Sequence, residues 1–318
     1  MSGAPLIEQM QGIRTLVVGD AMLDRYWTGT VDRVSPEAPV PVVKVQEIDE
    51  RAGGAGNVAV NIASLGASCQ LLSFVGDDKA GRQLNAILGQ AGVDRHLHID
   101  PESRTTEKLR IVSRNQQLLR ADFESQPSSD LLARSTSDFK ELVPEIDVVV
   151  ISDYGKGGLT HVAELISVST DRGIPVLVDP KGTDFGRYRG ATIVTPNRDE
   201  FEAVTGVSTR HPEFDNAARQ LVIDSDLTGL LVTQGVDGMA LFLSTGQVIR
   251  QSARALEVFD VSGAGDTVVA IMAVALGLKL PWEKCLEMAT RGASAVVGRF
   301  GTSAVQPTDL ESPGRRSP

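Results

Sequence analysis

Arg14-Thr-Leu-Val-Val-Gly-Asp20 is a short β-branched run that ends in Gly-Asp. Such a continuous apolar run predicts a strand that is buried on both faces of a parallel sheet. In open α/β sheets, ligands bind beyond the carboxyl ends of the strands. Asp20 and Asp24, which follow this strand, are therefore candidates for binding substrate hydroxyl groups through charged hydrogen bonds. A helix N-cap is the alternative for Asp20.

Similar apolar runs follow along the chain and alternate with helical patterns. This alternation predicts an α/β fold in which helices cover both faces of one central sheet. The predicted strands are 14–20, 69–75, 147–152, 175–179, 191–195 and 229–233, and the predicted helices are 55–65, 78–91, 128–142, 159–172, 198–205, 212–224, 264–277 and 281–298.

Two segments, 28–50 and 105–124, show strand alternation without an intervening helix. The second segment is expected to be a hairpin that turns at Ser113 to Gln116. We expect both to form a small antiparallel sheet, inserted at about 28–50 and 103–125, that covers the site as a lid. Since such a sheet would expose an apolar face, a homodimer through the lids is expected. The rest of 1–318 is expected to be a single domain with a disordered tail at 312–318.

Composition excludes several classes of function. The 318 residues are 42% hydrophobic and carry a net charge of −10, which argues against nucleic acid as a partner. The sequence has neither a secretory leader pattern nor an apolar run of membrane-spanning length, so no membrane partner and a cytoplasmic location are expected. Cys69 and Cys285 are expected to be buried free thiols. His96 and His98 could share one strand face, but a solvated loop is expected, and the four histidines show no metal-ligand spacing.

Residues 260–267 (D-V-S-G-A-G-D-T) lead directly into the apolar helix predicted at 264–277. Because Gly263, Ala264 and Gly265 have little side-chain bulk, their N–H groups can face one anion at the positive end of the helix dipole. A carboxylate beside an anion site is unfavourable for the anion, so Asp266 is a candidate base that deprotonates a hydroxyl group. The alternative is a glycine-rich loop in which Asp266 is an ordinary N-cap.

A second glycine-rich helix entry, R-A-G-G-A-G-N, contains Gly53, Gly54 and Asn57. Its small residues would let a polyhydroxylated ligand approach the backbone, and the Asn57 amide can both donate to and accept from hydroxyl groups. Asn57 and Asn61 are expected to share one face of the helix, since they are four residues apart. A tight turn with helix capping is the alternative interpretation.

Two stretches are candidates for a nucleotide site. The first is T-P-N-R-D-E at 195–200, in which the candidates are Asn197, Arg198, Asp199 and Glu200. Glu200 would orient hydrated Mg²⁺ on a nucleotide. The Asn197–Glu200 spacing also fits a capping box, and both roles are compatible. In T-Q-G-V-D-G the candidates are Thr233, Gly235 and Gly238, whose backbone could line the nucleotide, although this stretch alone indicates only a hairpin.

Three basic residues are candidates for binding phosphate. Lys108 and Arg110 lie two positions apart in a predicted strand, so they share one face and could bind a phosphate on the substrate. Lys181 could add positive charge near a phosphoryl group in transfer. A solvated charged face is the alternative for all three.

The motifs Gly53-Gly54-x-x-Asn57, Asn197-x-x-Glu200 and Gly263-Ala-Gly-Asp266, in this order, resemble the ribokinase (PfkB) family of carbohydrate kinases. Stretches such as G-D-A-M-L-D-R-Y-W and V-D-P-K-G-T-D-F-G resemble the branch that acts on D-glycero-D-manno-heptose 7-phosphate. The resemblance implies a ribokinase-like three-layer α/β/α sandwich with a mainly parallel central sheet and a small antiparallel lid. It also implies ATP, Mg²⁺ and phosphorylation of the anomeric hydroxyl in ADP-heptose and lipopolysaccharide synthesis.

The resemblance also assigns roles to positions. It makes Asp266 the base, the N–H groups of residues 263–266 the phosphoryl site, and Asn197 to Glu200 the nucleotide and magnesium motif. Asp24, Gly53, Gly54 and Asn57 match sugar-binding positions.

The sequence departs from the family in two places. Ser262 replaces the family's usual Thr but keeps the hydroxyl group. Whether a monovalent cation binds near Asp260 and Ser262 is not decided by the sequence. The nucleotidyltransferase domain of many relatives, with its H-x-G-H motif, does not follow, which predicts a kinase-only chain. Another sugar or nucleoside kinase of this family is the nearest alternative, and a non-catalytic sensor is a more distant one.

Overall fold

The computed structural model describes residues 6–114, 116–253, 260–299 and 301–311. Within these ranges the chain forms nine α-helices and thirteen β-strands. The helices are α1 Leu6–Met10, α2 Ala55–Ser64, α3 Lys79–Gln90, α4 Ser129–Leu142, α5 Val162–Thr170, α6 Arg198–Thr205, α7 Phe214–Asp224, α8 Ala264–Gly277 and α9 Trp282–Val296. The strands are β1 Arg14–Gly19, β2 Ala21–Val34, β3 Pro41–Gly54, β4 Ser68–Gly76, β5 Asp94–Asp100, β6 Glu107–Ser113, β7 Gln116–Phe123, β8 Val148–Ser152, β9 Val176–Asp179, β10 Ile193–Val194, β11 Gly229–Thr233, β12 Met239–Leu243 and β13 Val248–Gln251.

The central sheet has nine strands in the order β13-β12-β11-β10-β9-β8-β1-β4-β5. All pairs from β11 to β5 are parallel, and only β12 and β13 at one edge are antiparallel. Strand β1 lies between β4 and β8, so the sheet extends from β1 in both directions. Ligands bind at the carboxyl ends of the strands beside such a point.

The central sheet has a separate apolar core on each face, as the predicted three-layer arrangement requires. Val17 packs on the face covered by α2, α3, α8 and α9. Its neighbours Leu16 and Val18 point to the other face, where α4, α5, α6 and α7 pack. Strands buried on both faces have no polar side, which explains why β1 is a continuous apolar run.

Helix α8 is the most enclosed helix of the molecule, because residues 268–275 are all buried. It packs against α9, α2 and the strands β8 and β9. A helix that is apolar on every side is stable only in the interior. Its first turn is therefore held in place by packing on several sides.

The segments predicted to leave the central sheet form a second sheet, called the small sheet, with the order β3-β2-β6-β7. The β2–β3 and β6–β7 pairs are antiparallel, as expected, but the middle pair β2–β6 is parallel. The hairpin turns after Ser113, and β7 begins at Gln116, as predicted. The first two strands are longer than expected, because β2 starts at Ala21 and β3 continues to Gly54. Asp24 therefore lies within the small sheet.

One sequence-based expectation about the histidines is wrong. His96 and His98 lie on β5, an edge strand, and not in a solvated loop. The His98 ring stacks on Phe74 with a centroid distance of 5.7 Å, and its Nε2 lies 3.3 Å from Asp138. The His98 ring is therefore packed between β4 and α4. Cys69 and Cys285 are buried free thiols, as predicted.

The predicted tail at 312–318 lies outside the described residues. Across the described part of the chain, none of the helices combines the length and the apolar character that a membrane crossing requires.

Candidate active site

The candidate site lies at the carboxyl ends of β8 and β9, beside the N-terminus of α8. A pocket of about 220 Å³ opens there. Residues from five separate parts of the chain line it, because the parallel strands all end at the same edge of the sheet. Its polar lining includes Asp153, Tyr154, Asp179, Lys181, Asn197, Glu200 and Asp266.

Asp266 lies in the first turn of α8 and is only 5% exposed. The N-cap position belongs to Gly263, so the alternative interpretation of Asp266 as the N-cap is wrong. Its carboxylate accepts one hydrogen bond on each oxygen. Asn57 Nδ2 donates to Oδ2 at 2.6 Å, and the Tyr154 hydroxyl donates to Oδ1 at 2.7 Å.

The environment of Asp266 suits a proton acceptor. Burial raises the pKa of its carboxyl group from 3.8 to about 6, and the hydrogen bonds from Asn57 and Tyr154 act in the opposite direction. A base with a pKa near the working pH is ionised in the resting enzyme and still binds a proton well. Asp266 can therefore accept a proton from a hydroxyl group at neutral pH.

The Asn57 amide is held in one orientation by α2 and the segment after α9. Asn61 Nδ2 donates to Asn57 Oδ1 at 3.1 Å. Asn61 Oδ1 in turn accepts from the Val305 N–H at 2.9 Å and from the Thr267 hydroxyl at 3.3 Å. The prediction that Asn57 and Asn61 share a helix face is confirmed. Because its oxygen is occupied by Asn61, Asn57 presents its NH₂ group to Asp266.

The loop before α8 has the features of an anion site. Gly263 has φ 76°, and a Cβ atom there would lie 2.7 Å from Asn57 Nδ2, so only glycine fits without displacement. Gly263 and Gly265 line the pocket at the positive end of the helix dipole. The Ala264 N–H was expected to face the anion, but it donates to the Val261 carbonyl at 3.2 Å instead.

Asp260 closes this loop from the other side. Its Oδ1 accepts from the Ser262 N–H and its Oδ2 from the Gly301 N–H, both at 2.9 Å. Asp260 therefore connects the loop to the segment that follows α9. It is also the residue beside which a monovalent cation was left open as a possibility.

A second, mainly apolar cleft of about 280 Å³ continues from the first pocket and shares Thr233, Gly265 and Val268 with it. Gly235 and Gly238 line the cleft at the turn between β11 and β12, which pair antiparallel. The hairpin prediction for this stretch is confirmed. The remaining lining includes Val236, Met239, Ala253, Val261, Ala293 and Val297.

Asn197 and Glu200 form the capping box of α6. Asn197 Oδ1 accepts from the Glu200 N–H at 3.0 Å, and Glu200 Oε2 accepts from the Asn197 N–H at 3.1 Å. The other Glu200 oxygen, Oε1, lies 3.2 Å from Lys181 Nζ. Arg198 donates to the Gln234 carbonyl at 2.7 Å, and Asp199 is exposed on the helix surface. Of these four residues, Asn197 and Glu200 line the first pocket.

The small sheet adds charged residues on the face directed at the site, called the inner face. Arg110 Nη1 pairs with Asp24 Oδ1 at 2.8 Å, and both side chains are largely buried. Lys108 Nζ lies 5.3 Å from the centre of the Tyr154 ring. The prediction that Lys108 and Arg110 share one strand face is confirmed, since they pair in register with Asp24 and Tyr26. Gly53 lies against the Asp24 carboxylate, because a Cβ atom there would be 2.6 Å from its Oδ2.

One predicted site residue is placed differently from expectation. Asp20 was expected to bind substrate, but its carboxylate accepts the backbone N–H groups of Tyr154 at 3.0 Å, Lys156 at 3.0 Å and Gly158 at 3.2 Å. It therefore fixes the loop after β8. Lys181, which was expected near a phosphoryl group in transfer, lines the first pocket beside Glu200.

Three ionisable residues of the pocket were not predicted from the sequence: Asp153, Tyr154 and Asp179. Asp153 follows β8 directly and Asp179 ends β9, so the strand-end rule that selected Asp20 would also have selected both. Desolvation, followed by the charges of Asp266 and Glu200, raises the pKa of Asp179 well above its ordinary value. Tyr154 has no comparable signal in the sequence, because only the folded loop brings it to Asp266.

A family model described as "pfkB family carbohydrate kinase" matches residues 13–309. The "Bifunctional protein HldE" of Methylococcus capsulatus is 48% identical over 307 residues, which is 96% of this chain and 65% of that protein. The protein of the same name from Pectobacterium atrosepticum is 48% identical over 297 residues, which is 93% of this chain and 62% of that protein. The chain thus spans less than two thirds of the length of these relatives.

Solved structures show the same fold. Phosphofructokinase-2 from Escherichia coli, in complex with potassium, has a TM-score of 0.79 at 21% identity, covering 94% of this chain and 97% of that one. Arabidopsis thaliana ribokinase, complexed with ribose and ATP, has a TM-score of 0.76 at 23% identity with the same coverage of both chains. The expected ribokinase-like fold is confirmed.

Proposed function

This chain belongs to the pfkB family of carbohydrate kinases, and we propose that it transfers the terminal phosphoryl group of ATP to the anomeric hydroxyl of D-glycero-D-manno-heptose 7-phosphate. The heptose rests on the stretches that resemble heptose 7-phosphate kinases, and the 48% identity to the HldE proteins supports it. The product is heptose 1,7-bisphosphate, for ADP-heptose and lipopolysaccharide core synthesis.

The observation that carries this proposal is the position of Asp266, a buried carboxylate that lines the first pocket in the first turn of α8. In the reaction, Asp266 takes the proton of the sugar hydroxyl while the sugar oxygen attacks the γ-phosphorus. The bond from that phosphorus to the bridging oxygen breaks, and ADP leaves with the electron pair. In such transfers, positioning and charge stabilisation provide most of the rate enhancement.

The two pockets suit the two halves of ATP. The apolar cleft between the β11–β12 turn and α9 would hold the base and ribose, with Thr233, Gly235 and Gly238 along its wall. The γ-phosphoryl group would then lie at the N-terminus of α8, where Gly263 and Gly265 leave room for it. A helix N-terminus stabilises the charge on the transferred group without any reorganisation during the reaction.

The acidic residues of the first pocket fit a magnesium ion on the nucleotide. Glu200 and Asp179 both face this pocket, where desolvation and then the charges of Asp266 and Glu200 raise the pKa of Asp179. Mg²⁺ is usually held by one or two carboxylates together with phosphate oxygens and water. Bound there, it would neutralise charge on the phosphates. Lys181, beside Glu200, would add to the same effect.

The inner face of the small sheet suits a phosphorylated sugar. Asp24, Asn57 and the backbone at Gly53 and Gly54 would bind sugar hydroxyl groups. Burial lowers the pKa of Lys108, and a partly desolvated cation gains from contact with a phosphate. Arg110 already pairs with Asp24, so it would bind the phosphate only while also holding Asp24. The small sheet would act as the lid of this site.

The outer face of the small sheet supports a homodimer. Ile48, Trp27, Ile111 and Leu119 lie opposite one another in register on its four strands. Ile48 is 58% exposed and Leu119 is 56% exposed, at the two ends of this row. A continuous apolar row on an exposed sheet is unfavourable in water, and pairing with a second copy would cover it.

A coupled assay of ADP release tests the function. Heptose 7-phosphate should support turnover, whereas ribose, fructose 6-phosphate and adenosine should support little. The Asp266→Asn variant should bind ATP normally and lose about 10² or more in turnover, the range expected for a general base. Turnover in this variant equal to wild type would overturn the mechanism, and faster turnover with another sugar would replace the substrate. ATP binding without turnover on any of these compounds would favour a sensor.

A further inference from the structure

We propose that Tyr154 is a positioning residue for the phosphoryl transfer, whose hydroxyl group holds the Asp266 carboxylate ionised and correctly oriented toward the sugar. The inference rests on the proposed function, because it takes Asp266 as the base.

The hydrogen bonds to Asp266 fix the plane of the carboxylate. The Tyr154 hydroxyl donates to Oδ1 at 2.7 Å and Asn57 donates to Oδ2 at 2.6 Å. A carboxylate held at both oxygens cannot rotate about its Cβ–Cγ bond without losing one donor. Each oxygen keeps a further lone pair for the sugar hydroxyl, because a carboxylate can accept about four hydrogen bonds.

Tyr154 is itself fixed from three sides. Its backbone N–H donates to Asp20 Oδ2 at 3.0 Å. One side of its ring lies against Gly54, where a Cβ atom would be 3.4 Å from Cδ2, and Lys108 Nζ lies over the ring at 5.3 Å from the centroid. This explains the role of Asp20, which holds the loop that presents the tyrosine. Tyr154 therefore connects the base to the small sheet.

The groups around Asp266 determine in which direction loss of the Tyr154 hydroxyl would shift the pKa of Asp266. Asp24 from β2, Asp179 from β9 and Lys108 from β6 face this carboxylate together with Tyr154. Desolvation and the charge of Asp266 raise the pKa of Tyr154 well above its ordinary value, so its hydroxyl group stays protonated and acts only as a donor. A donor to the ionised form lowers a carboxyl pKa. Removing this donor should therefore raise the pKa of Asp266.

The test is the Tyr154→Phe variant, with Tyr188→Phe as the matched control. Tyr188 is also buried and also donates its hydroxyl to a carboxylate, Asp153 Oδ2 at 2.7 Å, but not to Asp266. The Asp266 carboxyl carbon is titrated by carbon-13 NMR in the ligand-free protein and assigned by comparison with Asp266→Asn. Its midpoint should rise by about one pH unit in Tyr154→Phe, as expected for loss of one hydrogen bond to a charged group. It should not move in Tyr188→Phe.

Kinase activity gives the second readout. If the pKa rises by about one unit, the loss of kcat/KM in Tyr154→Phe should be about five-fold larger at pH 6 than at pH 8. Replacement of all three tyrosines by 3-fluorotyrosine keeps every hydroxyl group and makes each a better donor, so the midpoint should move down. This measurement also covers the case in which the phenylalanine variant does not fold.

The outcomes separate the inference from the proposed function. An unchanged NMR midpoint in Tyr154→Phe, or an equal rise in Tyr188→Phe, overturns the role of Tyr154 even in an active enzyme. Absence of turnover in the wild-type protein with heptose 7-phosphate overturns the proposed substrate, whereas the ligand-free titration still decides whether Tyr154 controls Asp266.

Discussion

Gly263 and Gly265 are two residues apart in the same loop, yet the structure gives them different constraints. Gly263 has a positive φ and lies against Asn57, whereas a Cβ atom on Gly265 would meet nothing within 4 Å in the protein. The first glycine is therefore required by the protein itself. The second is needed only where a ligand occupies the pocket.

This difference predicts opposite effects of alanine at the two positions. Gly263→Ala should lower the free energy of unfolding by about 2 kcal/mol, because it strains the backbone and displaces Asn57. Gly265→Ala should leave it unchanged or raise it by up to about 1 kcal/mol, since alanine favours a helix. It should nevertheless raise the KM for ATP, because its methyl group enters the pocket. Urea unfolding and steady-state kinetics check both, and equal losses of stability would contradict the assignment.

At the scale of single residues, only some of the residues of the site could be predicted from the sequence. Asp266, Asn57 and Glu200 were found because glycine-rich helix entries and capping spacings are local patterns. Tyr154 was missed because its position depends on Asp20, 134 residues away in the chain. Asp20 itself was assigned to substrate, because a strand-end carboxylate has the same sequence pattern whether it binds a ligand or a backbone loop.

Helix α6 combines a structural and a proposed functional role in Asn197. Its side-chain oxygen caps the helix, and it also lines the pocket. Aspartate can make the same capping contact through a carboxylate oxygen, whereas alanine cannot. Two substitutions at this position can therefore separate the two roles.

Asn197→Ala should lower the free energy of unfolding by about 1 kcal/mol, and Asn197→Asp should change it by only a few tenths. The KM for ATP should rise more in Asn197→Asp, because a carboxylate beside the phosphates repels them. Urea unfolding and ATP kinetics on both variants provide the comparison. A KM that changes in proportion to stability in the two variants would show that Asn197 acts on the nucleotide only through the helix.

At the scale of elements, the regular periodicities in the sequence were sufficient to predict the helices. The eight predicted helices are all present, because most of them repeat apolar residues every three to four positions and α8 is a long apolar run. The strands of the small sheet were placed less well. Strand β2 was expected to begin near residue 28 but begins at Ala21, and the parallel pairing of β2 with β6 joins segments about 80 residues apart. Alternation in one strand carries no information about which strand lies beside it.

The proposed dimer gives a prediction for the whole molecule. Ile48→Lys places a charge at one end of the apolar row on the small sheet and should weaken the dimer about ten-fold or more. Ile223→Lys, on α7, is the control because Ile223 is 68% exposed and far from this row in the fold. Sedimentation velocity over a concentration series measures both. Equal dissociation constants for wild type and Ile48→Lys would contradict an interface through the small sheet.

The burial of α8 has a consequence for how this molecule can change over evolution. Substitutions within residues 268–275 disturb packing against the sheet and two helices at once. The helix that carries Asp266 therefore tolerates few amino-acid substitutions. The small sheet is enclosed on one face only, and single replacements at Asp24, Lys108 or Arg110 leave the main cores intact. New sugar preferences can therefore arise while the chemistry is retained. For the same reason, inhibitors that reach the small sheet should distinguish related kinases better than compounds confined to the cleft beside α8.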